Sequence, residues 1–281
     1  MENVERRKKM KIIDSHVHIG GEQLGFHMSE DMVIEMIRKY GVSYVILSNC
    51  DCAELDHSQK QLPQELQISQ AEGLRRCLVF ADKYPEYIGV APFIKPRTEG
   101  LTEEFSTMVK QNREQIKAIK LHPYHSNCSP TDLRVLPYLE LAQEIGVPVV
   151  CHTGGCEAAR PYHVYEAAKL FPNISFVMVH MGLGTDHREA FELLGKQENL
   201  YGDTTWVPVG VTLEAMERYG SEKMLFGTDA PIDGVHTYDT DLDGNPSMYQ
   251  AYFKALPDKL SQEAYENLMW KNAARLFKIR R

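Results

Sequence analysis

The chain has 281 residues, of which 43% are hydrophobic and 25% charged, and its formal net charge is −8. That is globular composition, and the length suits one large domain, an α/β barrel of about 250 residues included. The one basic cluster is Arg6-Arg7-Lys8-Lys9. With an acidic chain around it, nucleic acid is excluded as the expected partner. No stretch approaches the roughly 18 apolar residues of a membrane span.

Residues 1–9 read as a disordered, solvated tail. Residues 10–281 read as one domain, with no low-complexity linker and no composition shift. The apolar run after Met10 turns polar at Asp14, too soon for a signal peptide. Cys50, Cys52, Cys77, Cys128, Cys151 and Cys156 lack CxxC spacing and the density of a disulfide scaffold. They read as reduced thiols in a cytoplasmic protein.

The first strand is Lys11 to Ile19, closed by Gly20-Gly21. Ser29 is placed as the N-cap of a helix whose stripe is Met32, Val33, Met36 and Ile37, with Gly41 as its stop. Val42 to Leu47 is the second strand. A polar connection then leads to a helix over Glu65 to Lys83. Tyr87 to Ile94 is the third strand, and Thr102 opens the next helix. Ile116 to Leu121 is the fourth, followed by a helix over Asp132 to Ile145. Val147 to Cys151 is the fifth, with a helix over Tyr162 to Leu170. Ile174 to Val179 is the sixth, with a helix over His187 to Leu194. Leu200 to Thr204 is the seventh, with a helix over Leu213 to Tyr219. Met224 to Gly227 is the eighth, followed by a polar loop and two helices.

Strands apolar on both faces and separated by helices imply a parallel sheet, and eight such units imply a closed (β/α)8 TIM barrel, here with extra C-terminal helices. Polar residues recur at the strand ends: His16 and His18 on the first, Lys120 and His122 on the fourth, His152 on the fifth, His180 on the sixth, Asp229 on the eighth. Side chains two apart on a strand share a face, so His16 and His18 stand together. In this fold the strand C-termini form the catalytic face. Residues far apart in sequence thus converge, and neutral imidazole suits a divalent metal.

Asp14-Ser15-His16-Val17-His18, Ile119-Lys120-Leu121-His122-Pro123, Val150-Cys151-His152-Thr153-Gly154, Val179-His180-Met181-Gly182 and Phe226-Gly227-Thr228-Asp229-Ala230-Pro231 occur in that order. Asn272-Ala273-Ala274-Arg275-Leu276-Phe277 follows near the end. This ordered series resembles the amidohydrolase superfamily, in its amidohydrolase-related branch of metal-dependent hydrolases, over nearly the whole chain. The resemblance implies that His16, His18, His152 and Asp229 hold one divalent metal ion, with zinc expected. It implies that Asp229 moves the proton of the attacking water and that His180 orients that water or stabilises developing charge. Lys120 is then a cation for the substrate. In the alternative, Lys120 is carboxylated and bridges two metals.

His122, Arg160 and Trp206 are further substrate-binding candidates. His125, His163 and His236 are placed in loops on the active face, His27 and His57 with less support, and His187 is placed as structural at a helix start. The expected activity is hydrolysis of an amide, ester or lactone bond in a small, carboxylated metabolite. A decarboxylase or other lyase of the same branch is the alternative, and the shortness of the chain favours hydrolysis. An inactive binding protein on the same barrel is the third possibility, since fold alone does not establish activity. A homo-oligomer is the default expectation, with no interface marked in the sequence.

Overall fold

Eight parallel strands form the inner layer: β1 Ile13–Ile19, β2 Tyr44–Asn49, β3 Ile88–Val90, β4 Ile119–Leu121, β5 Val149–Gly154, β6 Phe176–Leu183, β7 Leu200–Asp203 and β8 Met224–Leu225. They are seen in a computed structural model that describes residues 11–280. The tail expected over 1–9 lies outside the described residues. Pairing follows chain order in two arcs, β1-β2-β3 and β4-β5-β6-β7-β8. The arcs join through parallel bridges Val90–Ile116 and Phe93–Lys120. They close at the other seam through Ser15 N to Phe226 O at 2.9 Å, Asp229 N to His16 O at 2.9 Å and His18 N to Ala230 O at 2.8 Å. The result is the expected (β/α)8 barrel. Every residue of β1, β2 and β5 is buried, which is why β2 opens as the continuous apolar run Tyr44 to Leu47 rather than an alternation, while β1 buries Asp14, Ser15, His16 and His18 among its apolar residues.

The helices lie outside. Ser29 accepts from Met32 N at 3.2 Å and Gly41 ends that helix at φ 65°, as the sequence indicates. Other boundaries differ. The helix after β2 begins at Gln70 rather than near Glu65, because Ser69 caps it by accepting from Glu72 N at 3.0 Å. The helix expected from Asp132 begins at Leu136. The Asp132 carboxylate instead accepts from Arg134 N at 2.9 Å in a turn, the local competition that disfavours Asp inside helices. The helix after β7 starts at Val209, behind Pro208, four residues before the expected Leu213. A short helix, Pro123–Ser126, follows β4 directly and was not expected.

The last segment runs Gln262–Glu266, a π-helical turn Asn267–Lys271, and Asn272–Leu276. It closes the bottom of the barrel: Phe226 N donates to Leu268 O at 3.0 Å. Ala273 and Phe277 pack with Ile13, Ile46, Val150, Val177 and Leu225, which fill the lower barrel interior. With the lower end apolar and plugged, polar chemistry has only the upper mouth, where the strands end.

Candidate active site

Five strand ends, those of β1, β4, β5, β6 and β8, converge there. The Nε2 atoms of His16 and His18, both on β1, are 2.8 Å apart. Asp229 Oδ1 lies 3.0 Å from His18 Nε2 and 3.5 Å from His16 Nε2. Lys120 Nζ lies 2.7 Å from His16 Nε2. The His180 ring is 5.3 Å from the His16 ring and 4.6 Å from the His152 ring, centroid to centroid. His122 stacks on His152 at 4.1 Å and, on its other face, on Phe93 at 5.3 Å.

Three residues of this mouth sit at positive φ although none is glycine: His180 at 67°, Asp229 at 70° and Trp206 at 56°. Such conformations cost about 1–3 kcal/mol each and persist only where the surroundings over-determine them. Here each backbone N–H is pinned: His180 to Asp203 Oδ1 at 2.9 Å, Asp229 to His16 O at 2.9 Å, Trp206 to Tyr249 Oη at 3.1 Å. The side chains are thereby turned into the mouth. Asp203 also accepts from Thr205 Oγ1 at 2.6 Å, and that hydroxyl meets His16 Nδ1 at 3.3 Å. Asp203 and Thr205 thus orient one β1 histidine and the β6 turn together.

Electrostatics follow the crowding. Burial alone would raise the Asp229 carboxyl, but His16, His18 and His180 hold it well below its usual range. Burial alone would lower His18, yet contact with Cys50 and Asp229 lifts it to about 9. His16 is lowered well below normal by burial and by the Lys120 ammonium. Burial brings His180 down to about 4, with Lys120 adding to the effect. Lys120 is itself lowered by burial.

These residues fit a divalent cation. The Nδ1 atoms of His152 and His180 are buried with no hydrogen-bond partner, an expensive state for a polar atom. Imidazole nitrogens and a carboxylate are the usual donor set for zinc and its neighbours. Ligand atoms of His16, His180 and Asp229 all lie within 4.8 Å of one another. His18 Nε2 lies beside that group, 3.0 Å from Asp229 Oδ1, while His152, expected as a ligand, falls outside it and His180, expected beside the water, falls within it.

Above the histidines opens a cavity of about 440 Å³. His18, His122, His152, His180, Trp206 and Asp229 line it. Trp206 Nε1 donates to Asp229 Oδ2 at 3.1 Å, so that candidate both walls the cavity and orients the carboxylate. Arg160 is placed differently from the expectation. It is exposed and does not line the cavity; its guanidinium pairs with Glu157 at 3.3 Å and Glu189. Lys120, expected as a cation for the substrate, is fully buried against His16, and neither residue lines the cavity. The wall thus has no Lys or Arg among the described residues, contrary to the expected grip on a substrate carboxylate.

His125 and His57 line the cavity, while His163, His236 and His27 do not. His163 lies 3.8 Å from Glu157, His236 bonds Lys39 at the surface, and His27 lies 3.7 Å from Glu22. His187 is structural as expected, its Nδ1 bonded to Met181 O at 3.2 Å. All six cysteines are unpaired thiols. Cys50 and Phe93 are lining residues the sequence reading missed. Both lie just past a strand end, β2 and β3, the position that marks the mouth in this fold.

Fold and site together define a (β/α)8-barrel protein with a histidine-rich mouth that contains a candidate cation site. The chain belongs to the amidohydrolase family, a family of enzymes, whose model matches residues 13–279. No curated protein matches. Among solved structures, an uncharacterized TIM-barrel protein from Bordetella bronchiseptica is 19% identical over 96% of this chain and 99% of that one, with a TM-score of 0.67. A probable 2-pyrone-4,6-dicarboxylic acid hydrolase from Acinetobacter baumannii is 14% identical over 96% and 100%, with a TM-score of 0.64. A dihydroxybenzoic acid decarboxylase from Polaromonas sp. JS666, with bound manganese and an inhibitor, is 14% identical over 97% and 98%, with a TM-score of 0.66. At these identities the likeness is one of fold. No helix among the described residues is long and apolar enough to cross a membrane.

Proposed function

We propose that the chain is a metal-dependent hydrolase that directs water onto an amide, ester or lactone bond of a small molecule. The carrying observation is the convergence of His16, His18 and Asp229, with the His152 and His180 rings beside them, below one cavity. His16, His18, His152 and Asp229 would hold one divalent cation, zinc as first choice, and that ion supplies Lewis acidity and lowers the pKa of water. Asp229 takes the proton of the attacking water at Oδ1 and passes it to the leaving group. Its Oδ2 stays held by Trp206. His180 stabilises negative charge as it develops on the substrate oxygen. His122 and Trp206 position the substrate from the wall. Lys120 acts on His16 from below rather than on substrate. A carboxylated Lys120 bridging two ions is the alternative, and metal content per chain separates the two.

The second reading is decarboxylation, favoured by the manganese-bound decarboxylase of like fold. The cavity wall ranks it second, because it offers an aromatic acid no Lys or Arg. His16→Ala is expected to lose metal and activity together, and full activity in a metal-free variant contradicts the proposal. Carbon dioxide release from an aromatic acid moves the assignment to the second reading.

A further inference from the structure

Beyond the cation floor, the cavity is walled by Leu24, Phe26, Met28, Phe93, Leu183 and Ile232. Its other polar lining atoms belong to His57, His122, Tyr124, His125 and Cys50. His125 Nδ1 is already bonded to Leu55 O at 2.7 Å, leaving that ring one nitrogen for a ligand. Among the described residues, Asp229 is the only carboxylate in the wall. The nearby cationic side chains are engaged elsewhere: Arg160 with Glu157 and Glu189, Lys120 with His16, Lys95 with Gln67 and Ile68 O, and His18 with Asp229 at the floor. A buried carboxylate without a cationic partner is strongly disfavoured. An apolar ring or chain gains with every unit of its area covered there.

We propose that this site takes a neutral, apolar acyl compound, an aryl or alkyl ester, lactone or amide, with no anionic group away from the reacting bond. The proposal rests on the hydrolase reading for the bond but concerns only the cavity wall. It departs from the carboxylated substrate the sequence suggested.

The test is calorimetric binding to the metal-loaded protein of two matched chelating probes, benzohydroxamate and para-carboxybenzohydroxamate. Each places its hydroxamate at the floor and its ring along the wall. Benzohydroxamate is expected to bind more tightly by about tenfold or more, the cost of an unpaired carboxylate in an apolar wall. In Phe26→Arg the gap is expected to close or reverse, because a guanidinium then faces the added carboxylate. Equal or tighter binding of the carboxylated probe by the unaltered protein overturns the proposal. So does failure of both probes to bind while the metal remains on the protein. Neither result touches the hydrolase reading, which stands or falls on turnover.

Discussion

His16 and His18 face one another through Nε2 atoms 2.8 Å apart, inside the barrel mouth and shielded from water. With Lys120 Nζ at 2.7 Å on the same His16 nitrogen, more donors and lone pairs crowd there than neutral hydrogen bonds can serve. A shared cation relieves that crowding. His16→Ala and His18→Ala should each weaken metal binding by more than about a hundredfold. Chelator competition followed by elemental analysis measures it, and metal retained at the parental level in both variants would refute the ligand assignment.

Thr205 is a positioning residue in the same network. Its hydroxyl donates to Asp203 at 2.6 Å and meets His16 Nδ1 at 3.3 Å. Thr205→Val keeps the shape and removes both bonds. Metal affinity should fall by about 10- to 100-fold, the usual cost of losing a partner behind a ligand. Thr205→Ser should restore most of it, which a merely structural role for the methyl group would not allow.

Trp206 donates to the Asp229 oxygen that does not face the histidines. Trp206→Phe keeps an aromatic wall and deletes the donor. A hydrogen bond to a charged acceptor contributes about 1.5–3 kcal/mol, so kcat should fall by about 10- to 100-fold with KM changed much less. A variant that raises KM alone would reduce Trp206 to a wall.

His125 makes folding pH-dependent. Burial holds it down to about 4 from an ordinary 6.5. Between those values the unfolded chain binds the proton and the folded chain does not. Stability is therefore full above about pH 6.5 and declines as pH falls toward 4, by up to about 3 kcal/mol from this group. His125→Gln should flatten part of that decline in melting curves taken between pH 7.5 and pH 5. An unchanged difference in Tm would place the acid sensitivity elsewhere.

Gly154, at the end of β5, has φ 107°, and a Cβ there would lie 2.2 Å from Leu183 N, a backbone atom that cannot swing aside. Gly154→Ala should push β6 away and destabilise the protein by more than about 3 kcal/mol. Thermal melting tests this, and an unchanged Tm would contradict the close approach.

The barrel and its histidine-rich mouth were legible because both depend on strand ends. Each strand announces itself as an apolar run, and an ionisable residue at its end has one place to go. His16, His18, His152, His180 and Asp229 all obey this. The wall was less legible. Leu24, Phe26 and His57 reach the cavity on long connections after β1 and β2, and no local pattern states where such loops fold back. Arg160 shows the converse: it follows β5 closely, but Glu157 and Glu189 draw it to the surface. Helix starts at Gln70, Leu136 and Val209 depended on caps and turns competing over a few residues, which periodicity does not register.

The most direct measurement is proton release in a pH-stat at pH 8, over a panel of neutral aryl esters and lactones. The metal-loaded protein, the chelator-stripped protein and the stripped protein resupplied with zinc are compared. Hydrolysis frees a carboxylic acid, so acid should appear with the loaded protein, stop on stripping and return with zinc. No metal-dependent acid release across the panel, with carbon dioxide evolved from aromatic acids instead, would contradict the account.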